Sequence, residues 1–139
     1  MRVVADTNTV VSGLFWLGPP RTVLDAARLG VIRLFTSPKL LAELEDVLSR
    51  EKFSLRVARV GSTPSTLVVG YAALATVVSP PTVSPIVSID PDDDEVIACA
   101  LTARANAIVS GDSHLLRIGQ IEDVIILSAP GFVTTHLSP

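Results

Sequence analysis

The chain has one cysteine, Cys99, and no charged residue between Val60 and Ile89. A single thiol cannot close a disulfide within the chain. Its setting in an apolar run reads as core packing, and a reducing, cytoplasmic compartment is expected. Long hydrophobic runs are missing too. The longest, LVVGYAALATVV at 67–78, falls short of the roughly 20 residues that span a bilayer. Asp6 interrupts the opening MRVVADTN too early for the hydrophobic centre of a signal peptide. No membrane association is therefore expected.

Positive charge is scarce as well. The formal net charge is -3, which argues against binding nucleic acid by simple charge attraction. The imbalance is uneven. Residues 1–60 carry nine Lys or Arg against six Asp or Glu, and the remainder carries two against eight. A basic half beside an acidic half suits a polyanion held against a metal site, although scatter explains it equally well.

What is abundant is apolar surface. Of 139 residues, 48% are hydrophobic, and the mean hydropathy is +0.52. The length suffices for one domain with a real core, expected to span residues 1–139. The apolar excess implies helices buried on more than one side, or a surface that another chain covers.

Periodicity places the elements. RVVAD opens the chain as a short buried strand, with Thr7 or Asn8 as possible caps of the next helix. RTVLDAARLG reads as a helix closed by Gly30, and VIRLFT at 31–36 as a second strand. Ser37 and Pro38 start a helix with Leu40, Leu41, Leu44, Val47 and Leu48 on one stripe. The charge-free STPSTLVVGYAALATVV reads as a helix, followed by an extended loop, SPPTVSP, at 79–85. A helix over about 93–104, the strand NAIVSGD, the strand VIILS and a short helix near Phe132 complete the chain. Strands alternating with helices imply an α/β fold with a parallel sheet.

Ligands of such a sheet bind beyond the carboxyl ends of its strands. Asp6 directly follows the first strand, and Asp112 closes the strand around Ile108. Each is equally suited to capping the helix that follows. The stretch 90–95 holds five acids in six positions. With Asp92 as N-cap, Glu95 completes a capping box, and first-turn acids favour the positive helix end. Asp93 is then expected in solvent, and Asp90 in a loop. Asp94 lies three and seven residues before Ile97 and Leu101, on a buried face where an acid needs a partner. On the 38–50 helix, Glu43 and Glu45 border opposite edges of the apolar stripe, and geometry does not choose between them.

If Asp6, Glu43, Asp94 and Asp112 converge, cations must neutralise them. Hard oxygen donors without Cys or His suit Mg²⁺ or Mn²⁺, the ions of phosphodiester hydrolysis. Thr7, Asn8 and Ser110 are placed to orient those carboxylates. Arg21, Lys39, Arg50 and Lys52 are available for phosphates. Other acid-based sites fit less well. Phosphatases of this general layout want Asp-x-Asp after the first strand, and Asn8 fills the third place. Receiver domains want a late lysine, and none follows Lys52. An EF-hand starting at Asp90 would have Glu95 at the glycine position and Leu101 at the last ligand position.

DTN after the first strand, an acid in the helix after SP, DPDDDEVIACA and VSGD, in that order, resemble the PIN-domain ribonucleases. More narrowly they resemble the VapC-like toxins of bacterial and archaeal toxin–antitoxin systems. The resemblance implies a PIN-like three-layer α/β/α fold with a central parallel sheet and an acidic Mg²⁺ or Mn²⁺ pocket. It assigns Asp6, Glu43 in preference to Glu45, Asp94 and Asp112 as catalytic metal ligands, and matches Asn8 and Ser110 to supporting positions. It implies an endoribonuclease of RNA and a cognate antitoxin protein as partner; the charge-free, apolar 60–89 segment, unusual for the family, is expected to form a homodimer interface. The chain departs from the pattern at Thr9, where an aliphatic residue is usual. It departs again after Asp112, where relatives often carry a further Asp and this chain has Ser113-His114. The alternative is a catalytically weak PIN-like module that binds RNA or protein.

Overall fold

The computed structural model describes residues 1–81 and 91–138, apart from the side chains of 91 and 92. The 79–85 loop beyond residue 81 and Asp90 therefore lie outside the described residues, whereas Asp92, expected as an N-cap, falls inside a helix that begins at Pro91. In chain order the elements begin with β1 (Arg2–Ala5), α1 (Thr7–Phe15), α2 (Pro19–Arg28), β2 (Arg33–Thr36) and α3 (Pro38–Leu48). A 3₁₀ turn at Glu51–Phe53 leads into α4 (Ser54–Arg59), α5 (Pro64–Leu74) and β3 (Thr76–Val77). Then follow α6 (Pro91–Thr102), β4 (Ala107–Val109), α7 (Ser113–Ile118), β5 (Gln120–Ile121), β6 (Val124–Leu127) and α8 (Ala129–Phe132), which runs into a last wide turn at Val133–Leu137.

Among the described residues the sheet has six strands in the order β3-β2-β1-β4-β6-β5. All neighbours are parallel except β5 and β6, which pair antiparallel. The central strands are buried on both faces, which is why they read as continuous apolar runs. Side chains alternate across the sheet. Val3, Ala5, Leu34, Ala107 and Val109 face one core with residues of α1, α2, α3, α5 and α8. Val4, Phe35, Ile108 and Ile126 face the other with α6 and α7. The result is the expected three-layer α/β/α sandwich. Each fully buried Leu, Val or Phe in these layers contributes about 1.5–3 kcal/mol relative to exposure.

Local chemistry sets the joints. Gly13 lets α1 approach α2, because a Cβ there would come within 2.7 Å of Leu24 Cδ1 and 2.9 Å of the Pro20 carbonyl oxygen. Gly30 takes φ +78° just after α2, the left-handed turn that ends a helix. Ser37 caps α3 by accepting from the Leu40 N–H at 3.3 Å.

Three expectations change. Asp6, not Thr7 or Asn8, is the N-cap of α1; its extended backbone and acceptor oxygen start the helix one residue earlier. The charge-free helix stops at Leu74, and Thr76–Val77 pairs with β2 as an edge strand. The β-branched run Thr76-Val77-Val78 fits a strand better than a helix. The short β5 was not anticipated. It turns into β6 through Glu122 at φ +49°, without the Asn-Gly or Asp-Gly signal of a tight hairpin.

Candidate active site

β1 and β4 lie side by side, yet β2 flanks one and β6 the other. The chain reverses its direction of growth across the sheet at this pair. A crevice opens beyond the strand ends at such a point, and an acid follows each strand there, Asp6 directly after β1 and Asp112 three residues after β4. The backbone N–H of Asp6 donates to the Val109 carbonyl at 3.1 Å, extending the β1–β4 ladder by one rung. Asp6 is 7% exposed. Its Oδ1 accepts from the Thr9 N–H at 2.9 Å, and its Oδ2 accepts a short hydrogen bond from the Ser110 hydroxyl.

Ser110 is fully buried. Its Oγ also accepts from the Asp112 N–H at 2.9 Å. One hydroxyl thus holds the side chain of the first acid and the backbone of the last. Asp112 caps α7, its Oδ1 accepting from the N–H groups of His114 at 2.8 Å and Leu115 at 3.1 Å. Both acids are helix caps, as the simpler sequence reading allowed. Capping fixes their rotamers without consuming all of their lone pairs.

A cleft of about 200 Å³ opens against these residues, lined by Asp6, Thr7, Asn8, Glu43, Val47, Arg50, Asp93, Val96 and Asp112. From α3 it takes Glu43 and Val47, with Arg50 just past the end of the helix. Leu40, Glu43 and Val47 follow one another at helical spacing, so the buried Leu40 and Val47 steer Glu43 toward the cleft. Glu43 is half-buried, while Glu45 is exposed.

From α6 the cleft takes Asp93. The expectation that Asp93 is solvated is overturned, since it is 5% exposed. Asp94 is also buried, as its helical face required, at 6% exposure, but it is not among the residues lining the cleft. The helix explains both. Val96, Ile97, Cys99, Ala100 and Ala103 are all buried, so the covered arc is wide enough to hold two adjacent positions. Asp93 stands three, seven and ten residues before Val96, Ala100 and Ala103. The spacing that singled out Asp94 was therefore available for Asp93.

Of the four cations expected at phosphates, only Arg50 lines the cleft, where it pairs with Asp46 at 3.3 Å. Arg21 is used at the end of α1, donating to the carbonyls of Gly13 and Leu14. Lys39 pairs with Glu95 at 3.3 Å. Lys52 lies 5.1 Å from the centre of the Phe53 ring. Four carboxylates around one cleft with a single guanidinium need further positive charge. Their hard oxygens suit Mg²⁺ or Mn²⁺. Asp93, Asp112 and His114 each offer a donor atom, and the three atoms lie within 4.8 Å of one another.

The sequence pattern of the PIN domain matches residues 2–114. The chain belongs to the PIN-domain family. The match begins at the first residue of β1 and ends at His114, so it takes in every acid of the cleft. PIN domains are nucleases, and the crevice at the switch point lies where that chemistry needs its acids. No curated protein matches the chain significantly. The fold is similar to that of a chain in the crystal structure of VapBC2 from Rickettsia felis bound to a DNA fragment from their promoter. The two share 15% identity with a TM-score of 0.61, over 91% of this chain and 97% of that one. At that identity the likeness speaks for the fold.

Proposed function

We propose that this PIN domain is a metal-dependent endoribonuclease, the toxin of a type II toxin–antitoxin pair, hydrolysing RNA phosphodiester bonds with Mg²⁺ or Mn²⁺. The observation that carries the proposal is the meeting of Asp6, Glu43, Asp93 and Asp112 from four separate segments on one cleft. The sequence resemblance named Asp94 as the third ligand. The lining of the cleft favours Asp93 in that role, with Asp94 buried beside it.

Asp6, Glu43, Asp93 and Asp112 would hold the ion, which would supply positive charge for the phosphoryl oxygens and lower the pKa of a water. The protein's own groups do the rest. Ser110 holds Asp6 in one orientation, the α1 and α7 caps fix Asp6 and Asp112, and Arg50 meets the phosphate backbone. Thr7 and Asn8 complete the rim at the start of α1.

The toxin reading draws on the VapBC2 likeness, which is an argument by analogy. A protein partner is supported by exposed apolar side chains. Leu55, Val60, Val69 and Val77 are each 45% exposed or more, and three of them fall in the charge-free segment. We assign these side chains to contacts with a second copy in a homodimer or with the antitoxin. Among the described residues no helix is long and apolar enough to cross a membrane. The buried free thiol of Cys99 accords with a cytoplasmic setting.

The test is incubation of the purified protein with a mixed RNA pool, including tRNA, in Mn²⁺, Mg²⁺ or EDTA. Cleavage that requires the ion and is lost in Asp6→Asn supports the reading. RNA that is bound but never cut, by folded protein free of antitoxin, would establish the binding module instead.

A further inference from the structure

His114 is the second residue of α7, and its backbone is pinned by the N–H donated to Asp112. Its ring therefore stands beside the carboxylate that caps the same helix. The Nδ1 to Oδ1 separation is 3.7 Å, too long for a hydrogen bond. An ion held by both would draw them together: with bonds of about 2.1 Å in octahedral geometry, neighbouring donors stand about 3.0 Å apart, a closure of about 0.7 Å that a turn of the ring supplies. Asp93 reaches the same place from α6, so that one oxygen from each acid and one ring nitrogen lie within 4.8 Å of one another. The ring is partly exposed, with 38% of the side chain accessible, which leaves it able to turn toward an ion.

We propose that His114 is a nitrogen ligand, with Asp93 and Asp112, to a divalent ion at the mouth of the cleft, and that it biases the site toward Mn²⁺ over Mg²⁺. This rests on the acidic cleft being an ion site. The bias follows from donor chemistry. Mn²⁺ shares the preference of Mg²⁺ for carboxylate, carbonyl and water oxygens, but as a first-row transition-metal ion it accepts an imidazole nitrogen more readily than Mg²⁺ does. Exchanging one carboxylate for a neutral ring also removes a negative charge from the mouth of a crowded anionic cleft.

The experiment is pulsed electron paramagnetic resonance on the full-length protein loaded with Mn²⁺, paired with Mn²⁺ and Mg²⁺ titrations. The wild type and His114→Asp are compared. Expected are ¹⁴N modulations of the Mn²⁺ echo in the wild type and their loss in His114→Asp, with Mn²⁺ still bound. The Mn²⁺ to Mg²⁺ affinity ratio should fall about tenfold in the variant, within the range seen when a metal site's surroundings change. Bound Mn²⁺ without nitrogen modulation, or with the same modulation in both proteins, overturns the assignment of His114 and leaves the carboxylate site standing. Folded wild-type protein that binds no Mn²⁺ overturns the acidic ion site itself, and the proposal with it.

Discussion

The hydroxyl of Ser110 donates to Asp6 Oδ2, joining residues that are 104 positions apart in the chain and adjacent in the sheet. Ser110 also accepts from the Asp112 N–H, so the bond ties the two acids at the ends of β1 and β4 into one rigid unit. A buried hydroxyl with both donor and acceptor used is well placed to orient a ligand-bearing carboxylate.

Ser110→Ala should therefore lower ion affinity or cleavage by about 10–100-fold, the usual effect of losing an orienting group behind a metal ligand. The fold should persist, because the two lost hydrogen bonds are worth about 0.5–1.5 kcal/mol for the one from the Asp112 N–H and about 1.5–3 kcal/mol for the one to the Asp6 carboxylate. Isothermal titration with Mn²⁺ and a urea melt on the same sample separate the two effects. A variant that binds Mn²⁺ like the wild type would leave Ser110 as a packing residue.

Capping and chemistry can be separated at Asp6 and Asp112. Asn caps a helix about as well as Asp, whereas Ala loses roughly 1 kcal/mol. Asp6→Asn and Asp112→Asn should melt close to the wild type and lose cleavage. Asp6→Ala and Asp112→Ala should lose cleavage and stability together. Thermal melts of the four variants beside an RNA cleavage assay give the comparison.

Much of this arrangement was legible in the sequence. The central strands are short apolar runs because both faces are covered, and Asp6 and Asp112 stand at their ends by position alone. Glu43 and Glu45 were symmetrical about the stripe of α3. The resemblance favoured Glu43, and in the structure it is Glu43 that lines the cleft. The third acid was harder. α6 is buried over so wide an arc that Asp93 and Asp94 are both covered, and one apolar row could not decide which faces the cleft. The two-residue strands β3 and β5 lacked the length for a periodic signal and depend on pairing partners supplied by the fold.

The adjacent acids of α6 make a sharp test. Asp93→Asn should abolish Mn²⁺ binding at the cleft, and Asp94→Asn should retain most of it while shifting stability. The reverse pattern would return the third ligand to Asp94, the position named by the sequence resemblance. Parallel Mn²⁺ titrations and denaturant melts of the two variants decide it.

Cys99 and Tyr71 should make the fold sensitive to alkali. Burial, and secondarily the charge of Glu95, pushes the Cys99 thiol up to about 12. Burial, with smaller contributions from Cys99 and Asp6, raises the Tyr71 phenol well above its usual 10. Both groups are neutral in the folded state and ionise more readily in the unfolded chain. Their contribution is full below an unfolded pKa of about 8.5 for Cys and 10 for Tyr. It is lost as pH rises from there toward the folded values. Urea midpoints should fall between about pH 9 and 11, and Cys99→Ala with Tyr71→Phe should flatten that fall. Tyr71→Phe should also be neutral or stabilising at pH 7, because among the described residues its buried hydroxyl has no hydrogen-bond partner. An unchanged alkaline profile in the double variant would assign the loss to other groups.

The most direct test of the central claim is RNA cleavage by the wild type and Asp6→Asn, each confirmed folded and free of antitoxin, in Mn²⁺ and in EDTA. Cleavage by the wild type in Mn²⁺ alone, abolished by EDTA and by the Asn variant, is the expected result. Cleavage that survives in Asp6→Asn or in EDTA, or no cleavage by the wild type in Mn²⁺, would contradict a metal-dependent ribonuclease built on these acids.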